Sequence, residues 1–327
     1  MTAPVNNDLI PADITVGVVG VGLMGSSIVV ALLIAGHQVI AIAPLTEELG
    51  KAPAHIKEHL LLCEDAALLH QPVNNYMDRV IISGDYNQLK NCQMVLECVT
   101  ERSDIKKQVY EKISNVVSNE TVISSNTSAI PISILQSYVP NPERFLGVHW
   151  AEPAYMTRFL EITCGKQTGP QYADWAYQLA HQWGKEPTLL KKDIRGFVTN
   201  RLMYAIYREA LTIEENGDAT IEDLDKAFRY DAGSWITLMG MFRRMDYIGL
   251  DNLSHIIKNI FPVLSNREEV PPSMQKMVEE HLRGTKSSKG FYNYEDDEGI
   301  EWEEAFAKFN KDIDQLASQY PSKAISS

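Results

Sequence analysis

The sequence predicts an α/β protein, in which an N-terminal doubly wound sheet is followed by an all-helical C-terminal domain. Three observations support this prediction. A strand, a glycine turn, a helix and a second strand follow one another within residues 14–43. Short apolar strands then alternate with helices as far as residue 185, and from Gly196 onward helices follow without intervening strands. Alternating strands and helices are typical of a parallel sheet covered on both faces, whereas helices alone indicate a separate domain.

The first three elements form a βαβ unit. ITVGVVG at 14–20 is rich in β-branched residues, as expected of a buried strand. LMGSSIVVALLIA at 23–35 has the length and composition of a helix, and the following Gly36 is a usual stop signal. HQVIAIA at 37–43 is the second strand, and a helical crossover makes the two strands parallel.

The rest of the first domain, which we expect to span residues 1–193, continues this alternation. A mostly helical stretch runs to about Met77. Ser103 is expected to cap a helix over 104–118, in which apolar residues recur at helical spacing. The segments predicted as strands are VIISGD, QMVLECV, ETVISSNTS, RFLGVHW and FLEITC, and PQYADWAYQLAHQWGK is predicted as a further helix.

The second domain, residues 194–327, is predicted to be helical throughout. Its helices are expected at 197–217, at 221–231 and around 251–264. KSSKGFYNYEDDEG at 286–299 is predicted to be a polar loop around an aromatic cluster, with its charges solvated.

Composition excludes several classes of protein. The 327 residues include 43 acidic and 30 basic side chains, and the formal charge of -13 disfavours a nucleic acid partner. The four cysteines lie at spacings that match neither a metal site nor a redox pair, so they are expected to be reduced, buried thiols. Five glycines interrupt the apolar run over 16–43 and no cationic segment precedes it, so neither a membrane span nor a signal peptide is predicted. We expect a cytoplasmic protein without a metal or a membrane partner.

The glycine turn, GVGLMG, predicts a dinucleotide site because it joins a strand to a helix. Gly20 permits the tight turn, Gly22 lets a pyrophosphate approach the backbone, and Gly25 lets the helix pack closely. The helix start at Leu23 and Met24 then offers free N–H groups and the positive end of a dipole. The sheet is therefore predicted to be of the Rossmann type. The other interpretation is that these glycines serve only to pack the turn.

The residues after the second strand favour NAD over NADP. A carboxylate about twenty residues beyond the glycine turn usually binds the ribose hydroxyls. Ala43 occupies that place, so this carboxylate is missing. No arginine stands there to bind a 2′-phosphate, and Glu47 and Glu48 would repel one.

Further motifs lie along nearly the whole chain. They are Glu101, SNTS at 125–128, RFLGVH ending at His149, Glu161, GFVTNRL at 196–202, DYIGLD at 246–251 and KSSKGFYNY at 286–294. Together with the glycine turn, these motifs resemble the 3-hydroxyacyl-CoA dehydrogenase family, whose superfamily also contains L-gulonate 3-dehydrogenase, lambda-crystallin and L-carnitine dehydrogenase. The resemblance implies an NAD-dependent oxidoreductase of fatty acid metabolism, with a small-molecule substrate that could be a CoA thioester, and a helical domain that forms a homodimer.

The resemblance also implies roles for individual residues. His149 matches the catalytic base and Glu161 the carboxylate that orients it. Ser128 and Asn200 match the residues that hold the substrate's C3 oxygen. A second set is predicted on the cofactor side, and consists of Gly20, Gly22, Leu23, Met24, Gly25, Glu101 and Asn126.

Physical reasoning supports the central pair. Oxidation of a secondary alcohol needs a base for the hydroxyl proton, and an imidazole can take up and release protons near neutral pH. If residues 145–150 and 159–164 pair antiparallel about Tyr155, His149 lies opposite Glu161. Taken alone, each residue also has a structural interpretation: Ser128 could cap a helix, Asn200 could tie a helix to the sheet, and Glu101 could face the positive ends of helices.

Departures from the family pattern leave the substrate open. The family usually has asparagine where this chain has Glu152, and a carboxylate cannot donate a hydrogen bond unless protonated. Glu152 could instead favour a cationic, carnitine-like substrate by charge complementarity. A catalytically silent dinucleotide-binding structural or sensing protein, and a carnitine- or gulonate-type dehydrogenase, remain alternatives. A β-hydroxyacid dehydrogenase is disfavoured, because Gly196 stands where that chemistry calls for a lysine.

Overall fold

The computed structural model describes residues 9–295 and 298–320. The chain divides into two compact units, Met1–Thr199 and Asn200–Ser327. The sequence predicts the boundary a few residues earlier, after Asp193.

The first unit is built on one eight-stranded sheet. Its strands are β1 Thr15–Val19, β2 Gln38–Ile42, β3 Val80–Ser83, β4 Met94–Glu97, β5 Val122–Ser125, β6 Phe145–Trp150, β7 Phe159–Cys164 and β8 Glu186–Leu190. They lie in the order β3-β2-β1-β4-β5-β6-β7-β8, and only β6 and β7 pair antiparallel. From β1 the chain adds β2 and β3 on one side of the sheet and then β4 on the other side. The place between β1 and β4, where this order reverses, is the switch point at which doubly wound sheets bind ligands. The predicted class, a doubly wound and mostly parallel sheet, is confirmed.

Helices cover both faces of this sheet. They are α1 Leu23–Ala35, α2 Thr46–Asp65, α3 Val73–Met77, α4 Ser103–Ser114, α5 Ile132–Leu135 and α6 Pro170–Gln182. Alternate residues of β1 point to opposite faces. Val16 and Val18 join the apolar cluster that contains most of α1, and Val19 joins a second cluster with Tyr110 of α4. This burial on both faces explains why these strands are apolar without interruption.

Two predictions for the first unit need correction, and one strand was not predicted. Ser103 is not a cap, because the N-cap residue of α4 is Arg102 and the Ser103 hydroxyl hydrogen bonds to the Tyr138 hydroxyl at 2.8 Å. Strand β8 was not predicted, because Pro187 lies within it; as an edge strand, β8 tolerates a residue that cannot donate a ladder hydrogen bond. The four cysteines are free, but only Cys63 and Cys92 are buried.

The second unit is helical, as predicted. Its helices are α7 Thr199–Asn216, α8 Ile221–Ala227, α9 Gly233–Met239, α10 Met241–Ile248, α11 Leu250–Ile260, α12 Pro272–Glu279 and α13 Glu298–Gln319, with a π-helical turn at Phe228–Ala232 between α8 and α9. The predicted polar loop is only partly correct, since α13 begins at Glu298, and Asp296 and Asp297 lie outside the described residues. Among the residues that the structure describes, no helix combines the length and apolarity needed to cross a bilayer.

Candidate active site

The glycine turn has a geometry that only glycine permits at two of its three positions. Gly20 has φ of +91°, and a Cβ added there would lie 2.9 Å from the backbone of Cys98. A Cβ on Gly25 would lie 1.8 Å from the carbonyl oxygen of Gly20, so α1 packs directly against the end of β1. The surroundings of Gly22 are open instead, because the nearest atom to an added Cβ is Oε1 of Glu48 at 3.7 Å.

The start of α1 suits a pyrophosphate. Gly22 is the N-cap residue and no side chain in the described part of the chain caps the helix there. The first turn has no acidic residue, and Leu23 is largely exposed. The uncapped N–H groups and the helix dipole favour an anion at this place. The residues that are present therefore fit a dinucleotide.

Glu48 lies beside this turn, a placement that the sequence analysis missed. Ala43, at the usual position of the ribose carboxylate, is buried at the end of β2. Glu48 is half-buried on the first turn of α2, and its carboxylate reaches the turn near Gly22. Burial raises the pKa of Glu48, while hydrogen bonds from the backbone of Val21, Leu45 and Gly22 oppose this rise. The sequence signal was a carboxylate in the first turn of the helix that follows Ala43.

The predicted pairing of β6 with β7 is confirmed, and His149 lies directly opposite Glu161. The imidazole Nδ1 is 3.0 Å from Oε2 of Glu161. The Glu161 side chain is fully buried, whereas the His149 side chain keeps 13% of its surface exposed. The imidazole therefore has a buried carboxylate on one side and a partly accessible edge on the other.

The second oxygen of Glu161 is also occupied. Oε1 accepts hydrogen bonds from the backbone N–H groups of Val198, at 3.1 Å, and Thr199, at 2.9 Å. Burial raises the pKa of Glu161, but the hydrogen bonds from His149, Thr199 and Val198 outweigh it, and the net pKa lies below its usual value. Glu161 is therefore an anion that can only accept, and the proton of a neutral His149 ring must be on Nδ1.

Ser128 completes the arrangement around the imidazole. Its hydroxyl oxygen lies 3.0 Å from Nε2 of His149. Since Nδ1 carries the ring proton, Nε2 has a free lone pair and the Ser128 hydroxyl donates to it. Within the first unit the structure thus brings Glu161, His149 and Ser128 into one line of hydrogen bonds.

Two phenylalanines fix the plane of the imidazole. The rings of Phe159 and Phe197 lie 5.6 Å and 5.7 Å from it, measured between centroids. Phe197 is buried and has φ of +49°, a left-handed conformation that bulky residues rarely adopt. Phe197 was not predicted from the sequence, because a positive φ at a non-glycine residue leaves no sequence signal.

Two predicted cofactor residues lie next to this site. The amide oxygen of Asn126 accepts a hydrogen bond from the backbone N–H of Trp150, at 2.9 Å, and so fixes the end of β6 beside His149. Glu101 binds the turn that carries Ser128: its Oε1 accepts from the Thr127 hydroxyl and from the N–H groups of Ser128 and Ala129. Asn200 is the second residue of α7 and belongs to the second unit, and its role stays a prediction.

The loop between β6 and β7, residues 151–158, is anchored at several points. The N–H of Ala154 donates to the hydroxyl of Ser27 on α1 at 2.7 Å. The Tyr155 hydroxyl lies 3.0 Å from Nδ1 of His59 on α2, and the buried Lys185 ammonium donates to the carbonyl of Ala154. This loop also carries the half-buried Glu152, three residues after His149.

Comparison with known families matches both units. Residues 15–194 match the profile of the 3-hydroxyacyl-CoA dehydrogenase NAD-binding domain, and residues 196–294 match the C-terminal domain of the same enzymes. The chain belongs to the 3-hydroxyacyl-CoA dehydrogenase family. It is an oxidoreductase with NAD as its cofactor, as the sequence predicted.

Individual relatives act on different substrates. The chain is 32% identical over 283 residues to 5-formyl-3-hydroxy-2-methylpyridine 4-carboxylate 5-dehydrogenase of Mesorhizobium japonicum, covering 85% of this chain and 90% of that protein. It is 29% identical over 279 residues to a probable 3-hydroxybutyryl-CoA dehydrogenase of Deinococcus radiodurans, covering 85% and 99%.

The solved structures that resemble this chain also include enzymes named for different substrates. A 5-formyl-3-hydroxy-2-methylpyridine 4-carboxylic acid 5-dehydrogenase, described as an NAD+-dependent dismutase, superposes with a TM-score of 0.86 at 27% identity, covering 94% of this chain and 99% of the other. For the (S)-3-hydroxybutyryl-CoA dehydrogenase of Ralstonia eutropha the TM-score is 0.72 at 27% identity, and the coverage is 86% and 99%. The relatives of this chain are therefore named for substrates of more than one class.

Proposed function

We propose that this protein oxidises the C3 hydroxyl of a 3-hydroxyacyl-CoA or a related small 3-hydroxy acid and reduces the corresponding oxo group in reverse. His149 is the general base and Glu161 orients it. The observation that carries the proposal is the line of hydrogen bonds that runs from the Val198 and Thr199 N–H groups through Glu161 and His149 to Ser128.

Bound NAD supplies the hydride acceptor, and the side chains handle the proton. When the substrate hydroxyl replaces the Ser128 hydroxyl at Nε2 of His149, the Nε2 lone pair takes the substrate's hydroxyl proton while the electron pair of the C–H bond leaves as hydride. Glu161, 3.0 Å from Nδ1, stabilises the imidazolium that forms. In the reverse direction the Ser128 hydroxyl donates a hydrogen bond to the oxygen that gains negative charge.

Glu48 supplies the carboxylate for the ribose hydroxyls that Ala43 lacks. Its position beside Gly22 supports this role, because the ribose of a bound dinucleotide lies close to the pyrophosphate turn. The same negative charge disfavours a 2′-phosphate, which is in keeping with NAD as the cofactor.

Glu152 bears on the choice among hydroxy acids. Glu152 lies three residues after His149, and an ionised carboxylate accepts hydrogen bonds rather than donating them. It favours a substrate with a positive charge or with hydroxyl donors near the reacting carbon, which describes carnitine- and gulonate-type hydroxy acids.

A second candidate substrate is an aldehyde on a heteroaromatic carboxylate. The sequence and structural similarity to the pyridine carboxylate dehydrogenase supports it. A hydrated aldehyde carries a hydroxyl and a hydrogen on the same carbon, so one base and one hydride acceptor convert it to the acid by the same steps. The same three side chains, Glu161, His149 and Ser128, would serve this reaction.

A substrate panel with NAD+ and NADH tests the proposal. It includes acetoacetyl-CoA, short 3-oxo acids, carnitine, gulonate and a pyridine aldehyde carboxylate. We expect turnover in at least one class and a loss of about 100-fold or more in kcat for His149→Ala, the contribution expected of a general base. Tight NADH binding without turnover anywhere in the panel would instead support the silent structural or sensing protein.

We also propose that the protein acts as a cytoplasmic homodimer. The exposed apolar side chains of the second unit, among them Phe242, Tyr247 and Phe309, support association with a second copy.

A further inference from the structure

Two serines lie side by side in the otherwise apolar helix α1. Ser26 and Ser27, in LMGSSIVVALLIA, are 1% and 0% exposed. A buried hydroxyl needs hydrogen-bond partners, because it has lost its contact with water. The partners of these two serines lie in three places, which are the start of α1, the helix α2 and the loop 151–158 between β6 and β7.

Ser27 binds this loop directly. Its hydroxyl oxygen accepts a hydrogen bond from the N–H of the buried Ala154 at 2.7 Å. The carbonyl of Ala154 accepts from the ammonium of Lys185, which also donates to the carbonyl of Thr157. Both backbone groups of Ala154 are therefore occupied, and the position of this residue depends on α1.

Ser26 reaches the loop by way of α2. Its hydroxyl lies 2.8 Å from the carbonyl oxygen of Gly22 and 3.0 Å from that of Leu23, and a carbonyl can only accept. The hydroxyl proton of Ser26 is therefore directed at the start of α1. Nε2 of His59 lies 3.4 Å from the same hydroxyl oxygen, and Nδ1 lies 3.0 Å from the Tyr155 hydroxyl. Because Ser26 has used its proton, it accepts from Nε2, and the lone pair on Nδ1 accepts from Tyr155.

The surroundings of His59 favour the neutral ring that this pattern requires. Burial lowers the pKa of His59 and outweighs the charge of Glu58, which acts in the opposite direction. The imidazole also packs against the ring of Tyr155, with the two centroids 5.2 Å apart. Because Tyr155 follows Ala154 in the chain, two separate contacts hold adjacent residues of the loop.

We propose that Ser27, His59 and Tyr155 are positioning residues that tie the loop 151–158 to the start of α1, so that NADH bound at the glycine turn stabilises the loop. The inference rests on the proposed function in so far as this turn holds the cofactor and the loop, which begins two residues after His149, contacts the substrate.

The contacts give this coupling a physical route. A pyrophosphate bound to the free N–H groups of the first turn of α1 restrains Gly22 and Leu23. Ser26 is bonded to the carbonyls of both residues, and Ser27 follows it in the same helix. Less motion at the start of the helix therefore means less motion at both anchors of the loop. The position of Glu152, which lies on the same loop, then depends on the cofactor.

Tyr155→Phe is the sharpest change, because it removes one hydroxyl and keeps the ring contact with His59. Tyr155 is half-buried, so the fold should tolerate the loss. Tyr177→Phe is the matched control, since Tyr177 is a half-buried tyrosine of α6 whose ring also contacts a histidine, His181, with centroids 4.9 Å apart. Both variants should bind NADH within about twofold of the wild type in a fluorescence titration.

Hydrogen exchange, measured by mass spectrometry on peptides that cover 151–158, tests the coupling without turnover. In the wild type, saturating NADH should slow exchange of this loop by about tenfold, within the usual range of coupling between two sites. In Tyr155→Phe the slowing should fall to about threefold or less, since only the Ser27 contact remains. Tyr177→Phe should match the wild type. Equal exchange with and without NADH in the wild type, or full slowing in Tyr155→Phe, would overturn the inference.

A double-mutant cycle tests the route through His59. His59→Phe removes both ring nitrogens, keeps an aromatic ring and should reduce the slowing by NADH as Tyr155→Phe does. The double variant should differ from either single variant by less than about twofold, because both substitutions break the same hydrogen bond. Losses that multiply would show that the two side chains act separately, and would overturn the inference.

Kinetics with a member of the substrate panel that turns over give a further test. Tyr155→Phe should raise KM by about threefold or more and keep kcat within about twofold, since a loosened loop weakens binding of the ground state and the transition state alike. An unchanged KM, whatever the change in kcat, would overturn the inference. Absence of turnover in the wild type would contradict the proposed function alone, because the exchange experiment needs only NADH.

Discussion

Glu161 controls which nitrogen of His149 carries the proton, and a single substitution can reverse that choice. In Glu161→Gln the amide oxygen would keep the hydrogen bonds from Val198 and Thr199, which leaves the NH2 group facing Nδ1. The ring proton would then move to Nε2, where a base needs a lone pair. We expect kcat to fall by about 100-fold with little change in NADH binding. An unchanged kcat would contradict the role of Glu161.

The same carboxylate links stability to pH. The pKa of Glu161 is lowered by its hydrogen bonds in spite of burial, so the folded chain holds this proton less tightly than the unfolded chain. Ionised Glu161 therefore stabilises the fold above the usual glutamate pKa, and the contribution is lost as pH falls through the lower, folded value. Urea unfolding should show the largest difference between wild type and Glu161→Gln near pH 7, shrinking below about pH 4. A difference that grows in acid would mean that this assignment is wrong.

Glu48 and its neighbour Glu47 offer a matched test of the ribose site. Glu48 reaches the glycine turn, whereas Glu47 is exposed and pairs with Lys51 at 2.7 Å on the same helix. Glu48→Gln should weaken NADH binding by about tenfold, the value of one charge-assisted hydrogen bond, and reduce discrimination against NADPH. Glu47→Gln should change neither dissociation constant. Equal effects of both substitutions in a fluorescence titration would indicate general electrostatics rather than a ribose contact.

Sequence and structure agree best where a residue's neighbours are set by strand register. The position of Glu161 opposite His149 followed from two apolar segments and the loop between them, because antiparallel pairing makes opposite positions sum to a constant. Lys106 and Glu97 could not be found in this way. Each looks like an ordinary charge of a helix or a strand until the fold buries them together at 2.7 Å.

At the scale of elements, two glycines at the junction of β1 and α1 have different roles. One is needed for packing and the other for cofactor binding. Gly25 is needed for packing, since an added Cβ would lie 1.8 Å from the Gly20 carbonyl, and Gly25→Ala should unfold the protein at a lower urea concentration. Gly22→Ala meets nothing closer than 3.7 Å and has an ordinary φ of -67°. It should keep the wild-type unfolding midpoint and weaken NADH binding by about tenfold or more, because the new methyl group occupies the approach of the pyrophosphate. Unchanged NADH binding would place the dinucleotide elsewhere.

The elements that the sequence failed to predict share a physical cause. Strand β8 contains Pro187, which is acceptable only because the strand lies at the edge of the sheet, and edge position is a property of the assembled sheet. Ser103 has the residue type of a cap, but the Tyr138 hydroxyl competes for its side chain. Local preference decided most of the elements, and tertiary contacts decided these.

At the scale of the whole molecule, the two units differ in how they bury apolar residues. The first has fully buried clusters on both faces of its sheet. In the second, helices α7 to α12, all within the described part of the chain, bury no residue fully. Helices gain most of their stability by packing an apolar face against a partner. The apolar faces of the second unit therefore call for a covering surface, and this is the physical basis of the proposed dimer.

The part of this surface that lies beyond the matched family domains gives the sharpest test. Helix α13 follows the matched residues 196–294, and it lines a groove of about 1010 Å³ together with the segment 228–238. Its apolar side chains recur every three or four residues and remain more than half exposed, as at Trp302, Phe306 and Phe309.

Phe309→Glu places a charge in this groove and should shift the protein from dimer toward monomer in sedimentation velocity at micromolar concentration, because burying an unpaired carboxylate in the interface opposes association. Lys308→Glu, on the same helix but outside the groove, introduces the same side chain and should leave the dimer intact. Wild-type protein that sediments as a monomer would contradict the dimer itself. A Phe309→Glu variant that remains fully dimeric would show that the two copies associate through another face.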